Sequence, residues 1–186
     1  MKRICDVMLS LVALLVFAVP IAIVALGVGV TSRGPILYWS RRVGKDNKLF
    51  AMPKFRSMRD GTPAVATHLV DNPSALLTPI GSFIRATSLD ETPQLWSILI
   101  GDMSFVGPRP ALYNQDDLIK LRTQSGVHTL TPGLTGWAQV NGRDDLPIPQ
   151  KVELDTEYLR RRSLRFDAYI LVLTCAKVLR GEGVSH

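Results

Sequence analysis

The sequence predicts an α+β protein that is predominantly α-helical, with an N-terminal helix–break–helix in the membrane and a compact domain at the membrane surface. An almost uninterrupted apolar run covers residues 4–30, and two short apolar runs flank a turn sequence at 44–47. Helical patterns of apolar residues fill the C-terminal end. We therefore divide the chain into a re-entrant membrane helix, residues 1–32, and an interfacial domain, residues 33–186, that contains a small β-hairpin and amphipathic C-terminal helices.

Composition limits the choice of partner. The 186 residues carry a net charge of +6 and are 46% hydrophobic. Such a positive surplus indicates an anionic partner, either phospholipid head groups, nucleotide phosphates or nucleic acid. The basic residues are spread among prolines and glycines without a recognisable reading helix, which argues against nucleic acid. Two cysteines, with no disulfide framework or zinc spacing, indicate a cytosolic location for the globular part.

The apolar run is long enough to span a bilayer, because about 20 apolar residues suffice, and it is longer than the core of a signal peptide. Pro20 lies in its middle and predicts a break in the helix there. Basic residues flank the run on both sides, and the positive-inside rule places both flanks in the cytoplasm. A helical hairpin that dips into the inner leaflet satisfies both flanks, whereas a single-pass anchor with a proline kink satisfies one. Both topologies remain open from these features alone.

A β-hairpin is predicted next, because residues 36–40 and 48–52 are apolar or aromatic and Gly44-Lys45-Asp46-Asn47 between them is typical of a turn. Residues 61–73 are polar and broken by prolines, which predicts an irregular segment. Residues 74–85 predict a short helical stretch that is interrupted at Pro79-Ile80-Gly81.

A helix is predicted to begin near Asp90, within "SLDETPQLWSILIGDMSFVGPRP", residues 88–110. Ser88 and Glu91 have the spacing of a capping box. Alternatively, Asp90 is itself the N-cap, which places Pro93 in the first turn. Both alternatives put two adjacent carboxylates at a helix start.

The remaining sequence predicts three helices and a loop. Helices are expected at residues 111–124, at 148–162, where the pattern is amphipathic, and at 166–179, which is apolar enough to lie on the membrane. Residues 131–143 form a loop rich in glycine and asparagine with one strand-like piece. The basic stretch "RRRSLR", residues 160–165, is expected to face lipid phosphates.

Asp90 and Glu91 are the candidates for chemistry. In the simplest interpretation they only stabilise a helix dipole. However, a carboxylate can also attack phosphorus when cations neutralise the phosphate charge. Basic side chains recur nearby, at Lys54, Arg56, Arg59, Arg85 and Arg109. Two prolines flank Arg109 and restrict its backbone, which suits an arginine that binds phosphate through two hydrogen bonds.

Taken together, these stretches closely resemble the bacterial sugar transferase family, and within it the small monotopic phosphoglycosyl transferases similar to the Campylobacter bacillosamine-phosphate transferase. The matching stretches, in the family's order, are Arg42-Val43-Gly44, "KFRSMR", "RATSLDETPQLWSILIGDMSFVGPRP", "TPGLTGWAQVNGR", "ELDTEYL" and "LRGEGV". They extend from about residue 41 to the C-terminus. Because the segment before them is short, the chain resembles the minimal catalytic unit of the family, without the additional N-terminal membrane helices of larger members.

The resemblance implies an enzyme that transfers a phosphosugar from a UDP-sugar to undecaprenyl phosphate, with UMP as the second product. In the family an aspartate forms a covalent phosphosugar intermediate, with Mg²⁺ as cofactor. Carried over, Asp90 is the nucleophile and a metal ligand, and Glu91 is its partner in catalysis and metal placement. The implied phosphate-binding or nucleotide-binding residues are Lys54, Arg85, Arg109 and Arg143.

The resemblance also implies the cytoplasmic face of the bacterial inner membrane, with phospholipid as a further partner. The family breaks its membrane helix at Ser-Pro, whereas this chain has Val19-Pro20, so the carbonyl freed by the break needs another partner such as Ser10 or water. Two other functions remain alternatives, a membrane-attached metal-dependent phosphatase or nucleotide hydrolase and a non-catalytic membrane scaffold. The sugar, the pathway and the presence of a homo-oligomer are left open.

Overall fold

The computed structural model describes residues 1–59, 61–62, 73–142 and 146–180. Within these ranges the chain is mostly helical, as predicted, and contains two small two-stranded sheets, of which only the hairpin was predicted. The helices are α1 (Lys2–Val16), α2 (Ala18–Thr31), α3 (Gly81–Ala86), α4 (Gln94–Ile100), α5 (Asp116–Gln124), α6 (Trp137–Val140), α7 (Ile148–Arg161) and α8 (Leu164–Leu179). The antiparallel sheet pairs β1 (Leu37–Val43) with β2 (Leu49–Phe55), and the parallel sheet pairs β3 (Ser104–Val106) with β4 (Gly133–Thr135).

The apolar N-terminal run forms two helices that meet at an angle of 63°. The predicted break exists, but it lies at Phe17 and not at Pro20, which occupies the first turn of α2. A proline ring clashes with the carbonyl of the residue four positions earlier, here Val16, and α1 ends at that residue. Neither helix of the pair has the length and apolar character to cross a bilayer by itself; only the two together meet that test, among the described residues.

The beginning of α1 is fastened to the domain by polar contacts. Lys2 Nζ lies 2.6 Å from Asp167 Oδ2 and donates a hydrogen bond of 3.0 Å to the carbonyl of Val106. Asp6, the one acid in the apolar run, is buried and accepts hydrogen bonds from Ser104 Oγ and from the Phe105 amide, at 3.0 and 3.1 Å. These contacts hold α1 against strand β3.

The middle of α1 packs on α4. Ser10 is fully buried and donates a 2.8 Å hydrogen bond to the carbonyl of Leu95. The expectation that Ser10 donates a hydrogen bond to the carbonyl freed at the helix break is therefore wrong, because its hydroxyl donates to Leu95 in α4. Ala13 and Leu14 pack beside a buried cluster that includes Ile98.

The end of α2 is fastened to the domain as well. Arg56 lies directly after β2 and is buried, and it donates to the Ser32 carbonyl and hydroxyl at 2.8 and 2.6 Å. Val24 and Val28 enter a core cluster with Phe55 and Ile84. Both ends of the helix pair are thus fixed to the same domain, while its outward face consists of exposed apolar side chains. The boundary at residue 32 stays a prediction.

The predicted β-hairpin is confirmed, with Leu37 opposite Phe55 and Val43 opposite Leu49. Its turn contains a short 3₁₀ segment, Lys45–Asn47, in which Asp46 and Asn47 adopt positive φ values of 55° and 58°. Aspartate and asparagine tolerate this left-handed conformation better than most residues. The hairpin brings Lys54, near the end of β2, toward the segment that carries the two candidate carboxylates.

The second sheet depends on glycines that let two backbones approach closely. A Cβ atom at Gly133 would lie 2.1 Å from the Gly107 amide nitrogen, and one at Gly107 would lie 2.4 Å from the Thr131 carbonyl. The Gly107 amide donates to Thr135 O, and the Gly133 amide donates to Pro108 O, both at 2.9 Å. Residues 107–110, which we call the Pro-Arg-Pro loop, are thereby held against β4.

Helices α7 and α8 confirm the two predicted C-terminal helices, and Tyr158, Phe166 and Ile170 form the core of their packing. The prediction of a helix from residue 111 is wrong in its start, because α5 begins at Asp116. Ala111 and Leu112 are used by the hairpin instead. The Ala111 carbonyl accepts a 2.9 Å hydrogen bond from the Val43 amide, and Leu112 forms a bridge with Arg42.

Candidate active site

Asp90 and Glu91 lie in a short 3₁₀ helix, Leu89–Glu91, that precedes α4. Ser88 before it adopts a left-handed conformation with φ 55°, and its side chain caps nothing. Pro93 occupies the N-cap position of α4. The predicted capping box and the alternative of an Asp90 cap are therefore both wrong. The physical reason is that the Glu91 carboxylate is engaged by side chains from other elements.

Glu91 is the anchor of an ion-pair network. Its Oε1 lies 2.6 Å from Lys54 Nζ, on β2, and 3.1 Å from Arg109 Nη2, in the Pro-Arg-Pro loop. Burial acts to raise the pKa of Glu91, but the charges and hydrogen bonds of the two cations outweigh burial and hold this pKa well below its usual range. Glu91 is thus ionised throughout the physiological pH range and fixes the positions of two cations.

Asp90 has a different environment, although it is the next residue. It is 8% exposed, and within the described ranges its carboxylate accepts no hydrogen bond from a side chain. Burial raises the pKa of Asp90 to about 6, and the charge of Glu91 adds to this effect, while the cations Lys54, Arg85 and Arg109 oppose it. A carboxylate that accepts no side-chain hydrogen bond from the described residues, and that is held close to cations in a partly dry site, keeps lone pairs available for an electrophile.

The structure brings together four of the predicted cations and acids around Asp90, namely Lys54, Arg85, Glu91 and Arg109. Arg85 stands in the last turn of α3 and acts on Asp90 through its charge. Leu89 packs against the cluster of Val24 and Phe55, which fixes the 3₁₀ segment between α2 and the hairpin. Arg143, the remaining predicted residue, lies outside the described residues, and its role stays a prediction.

Three polar residues that the sequence analysis did not assign to the site hold the Pro-Arg-Pro loop from behind. Arg122 Nη1 donates to the Arg109 carbonyl at 2.7 Å, and Arg42 Nη1 donates to the Pro110 carbonyl at 3.1 Å. Asp155 in turn accepts from Arg122 at 2.6 and 2.9 Å. Arg42 and Asp155 fall in stretches that carry the family resemblance, which is a signal of their importance; Arg122 falls in none.

A divalent cation fits this donor set. Mg²⁺ is usually held by one or two carboxylates together with substrate phosphate oxygens and water. Asp90 and Glu91 supply two adjacent carboxylates, and Asp90 has lone pairs that no side-chain hydrogen bond occupies. No group of three His, Cys, Asp or Glu side chains in the described part of the chain could form a cage made of protein ligands alone. Two carboxylates are the number that Mg²⁺ commonly takes from a protein when phosphate and water complete its coordination.

Comparison with known proteins supplies a family. The model of the bacterial sugar transferase family matches residues 1–181. A UDP-glucose:undecaprenyl-phosphate glucose-1-phosphate transferase of Xanthomonas campestris is 40% identical over 187 residues, 96% of this chain and 38% of the relative. An undecaprenyl-phosphate galactose phosphotransferase of Salmonella typhimurium is 37% identical over 98% of this chain and 41% of the relative.

An uncharacterised sugar transferase of Bacillus subtilis, EpsL, is 41% identical over 168 residues, 89% of this chain and 79% of the relative. The chain thus spans about two fifths of the length of the Xanthomonas and Salmonella relatives, and most of the length of the Bacillus relative. The match to the family model covers both the apolar helix pair and the site around Asp90. The predicted family is confirmed with it, and the chain belongs to the bacterial sugar transferase family.

Proposed function

We propose that this protein transfers a sugar 1-phosphate from a UDP-sugar to undecaprenyl phosphate, giving a polyprenyl-diphosphate-sugar and UMP. The relatives that are named for a reaction support the substrate classes, because their names specify UDP-glucose and undecaprenyl phosphate. These names differ in the sugar, with glucose in some and galactose in another. The donor sugar must therefore be identified by experiment.

The observation that carries the proposal is the division of labour between the two adjacent carboxylates. Glu91 binds Lys54 and Arg109, whereas Asp90 is buried next to the same cations and accepts no side-chain hydrogen bond in the described part of the chain. A nucleophile needs available lone pairs, and a diphosphate needs cations. Both requirements are met within one turn of 3₁₀ helix and its neighbours.

The reaction proceeds in two displacement steps at the same phosphorus. An oxygen of the Asp90 carboxylate attacks the β-phosphorus of the UDP-sugar, and the bond from this phosphorus to the bridging oxygen breaks, so that UMP leaves with the electron pair. A phosphate oxygen of undecaprenyl phosphate then attacks the same phosphorus, and the acyl phosphate bond breaks to restore Asp90. Arg109, Lys54 and Arg85 bind phosphate oxygens, and Arg143 is assigned to the nucleotide side. Mg²⁺ would be held by Asp90 and Glu91 and would neutralise part of the diphosphate charge.

The membrane arrangement is part of the proposal. Both ends of the α1–α2 pair are bonded to one domain, through Lys2 and through Ser32, and a single domain lies on one side of a bilayer. This favours a re-entrant hairpin over a single pass. We place the hairpin in the inner leaflet of the bacterial inner membrane and the domain on its cytoplasmic face, against phospholipid head groups. The site then meets a soluble anionic donor and a lipid-bound anionic acceptor at the same boundary.

The experiment measures UMP release by protein in nanodiscs with Mg²⁺, across a panel of UDP-sugars, with and without undecaprenyl phosphate. We expect steady-state UMP formation only with the lipid, and a loss of at least about a thousandfold in Asp90→Asn, because this change removes the nucleophile. Radiolabelled donor without lipid should label wild-type protein once per chain and leave Asp90→Asn unlabelled. Continuous UMP release without lipid would instead establish the hydrolase, and label on Asp90→Asn would refute the nucleophile.

Leu15 tests the topology, since it is exposed near the helix break. Leu15→Lys would place a charge where the hairpin is deepest, at a cost of about 2.5–3.5 kcal/mol in the bilayer. We expect a much larger fraction of this variant to be released from membranes by mild detergent, with the fold in detergent unchanged. Equal retention of variant and wild type would show that the break is not inserted.

A further inference from the structure

Behind the site, the Pro-Arg-Pro loop is tied through its carbonyls. Pro108 and Pro110 have no amide hydrogen, so this loop has few donors with which to fix itself. Three of its consecutive carbonyls accept hydrogen bonds instead: Pro108 from the Gly133 amide, and Arg109 and Pro110 from arginine side chains. The carbonyl of Arg109, the residue whose side chain reaches Glu91, is thus held by Arg122 at 2.7 Å.

Arg122 can hold this carbonyl because its own guanidinium is fixed. Its Nε and Nη2 both donate to Asp155 Oδ2, at 2.9 and 2.6 Å, and the two side chains are 9% and 1% exposed. The planar guanidinium presents its donors in a rigid fork, so two bonds to one carboxylate determine the direction of the third donor, Nη1. Arg122 stands on α5 and Asp155 on α7, and these helices pack around Leu118 and Val152.

We propose that the Arg122–Asp155 pair is a positioning device that sets the guanidinium of Arg109 at the phosphate-binding site through the Arg109 carbonyl. This inference rests on the proposed function of Arg109, and it assigns a role to the "ELDTEYL" stretch that the reaction itself does not use. Neither residue touches substrate. The path runs from Asp155 to Arg122, to the backbone of Arg109, and forward to Glu91 at 3.1 Å.

A double-mutant cycle tests the proposal. Arg122→Met/Asp155→Leu replaces the buried pair by apolar residues of similar size, a change that commonly leaves a fold stable. We expect this variant to lose about 10- to 100-fold in the rate of UMP release in the wild-type background, but less than about threefold in an Arg109→Ala background, because coupled residues are not additive. Equal losses in both backgrounds, or no loss in either, would overturn the proposal.

The matched control is Lys120→Met/Glu153→Leu, which likewise replaces one cation and one anion by Met and Leu, on the exposed faces of the same two helices. It should leave the activity of each background unchanged; a loss as large as that of the buried pair would mean that the removal of two charges, not positioning, is measured. If the apolar pair fails to fold, Arg122→Lys serves instead. An ammonium keeps the charge but cannot supply the planar fork, so we expect about a tenfold loss that also disappears in Arg109→Ala.

A second measurement separates this proposal from the proposed function. The Nε–H group of Arg109, observed by nitrogen-15 NMR and assigned with Arg109→Lys, reports the order of this side chain without any turnover. We expect the relaxation of this N–H group to show restricted motion in the wild type. In the apolar-pair variant, it should show a mobile side chain that averages over several orientations. An equally rigid Arg109 in the variant would overturn the positioning role even if the enzyme releases UMP. Loss of rigidity would support it even if no donor sugar were found.

Discussion

The two acidic sites on either side of the Pro-Arg-Pro loop show how similar residues acquire different tasks. Asp155, behind the loop, is buried and accepts two hydrogen bonds from Arg122. Asp90, in front of it, is also buried but accepts none from a side chain in the described part of the chain. Burial raises the pKa of both aspartates, and the opposing influence at Asp155 comes first from Arg122. Asp155 is thus paired with Arg122, whereas Asp90 has no such side-chain partner among the described residues.

The difference distinguishes acids that fix neighbouring side chains from the one acid that is proposed to react. A buried pair such as Arg122 with Asp155 fixes the geometry of its neighbours. At the front, Glu91 takes the structural role by binding Lys54 and Arg109. Asp90 then lies near the same charges without a side-chain hydrogen bond from the described residues, as the proposed nucleophile requires. The same isosteric change, Asp to Asn, should therefore have opposite effects on stability at the two positions.

The largest effect is expected for Asp155→Asn. The change leaves the buried guanidinium of Arg122 without a counter-charge, which in comparable buried pairs costs about 3–5 kcal/mol of unfolding free energy. Chemical denaturation in detergent at pH 7 measures it, with Asp117→Asn, an exposed change on α5, as the control. A cost no larger than that of the control would show that the pair is not a structural one.

Glu91→Gln should have the next largest effect on stability, at about 1–3 kcal/mol, because Lys54 and Arg109 lose the charge that fixes them. Activity should also fall, by about 10- to 1000-fold, since both cations are then free to move away from the diphosphate. Covalent labelling of Asp90 at saturating donor, measured on folded protein, separates the loss of activity from the loss of stability. Wild-type labelling at unchanged stability would contradict the anchoring role of Glu91.

Asp90→Asn should stabilise the protein at neutral pH. The pKa of Asp90 is raised to about 6 in the folded state, so the folded state holds this proton more tightly than the unfolded one. Its contribution to stability is complete below pH 3.8 and is lost as the pH rises through about 6. We expect a gain of about 1–3 kcal/mol in the variant at pH 7.5, which shrinks as the pH falls to 5. Thermal unfolding of both proteins without divalent cations tests this, and a gain that does not depend on pH would contradict it.

The smallest effect is expected for an acid in a third setting. Glu157 pairs with Arg161 one turn along α7 and accepts a 2.8 Å hydrogen bond from Trp137 Nε1, on a partly exposed surface. Exposed pairs of this kind contribute about 0.3–0.5 kcal/mol. Glu157→Gln keeps an acceptor for Trp137 and should lower the unfolding free energy by no more than this, with less effect at high salt. A cost close to that of Asp155→Asn would remove the distinction between buried and exposed pairs.

Much of this arrangement was predictable from local sequence. The turn sequence at 44–47 predicted the hairpin. The patterns at 148–162 and 166–179 predicted α7 and α8, with helix ends correct to within two residues. The details that depend on distant partners were not. The missing capping box follows from Lys54 and Arg109, which are far from Glu91 in the chain. The break at Phe17 is instead a local effect of Pro20 on the Val16 carbonyl, and the sequence analysis missed only its exact position. Arg122 carried no local signal, because its role arises only when α5 meets α7.

Asp6 is the feature with the widest consequence. In a hydropathy profile it looks like a flaw in an otherwise apolar segment, yet it is the point at which that segment is fastened to Ser104 and Phe105 of β3. Strand β3 leads directly into the Pro-Arg-Pro loop. In the proposed membrane arrangement, the helix pair is therefore not interchangeable with other apolar segments. A foreign helix of equal length and apolar character would leave Ser104 and the Phe105 amide without their acceptor, so exchanging the helix pair should also disturb the strand that leads into the Pro-Arg-Pro loop.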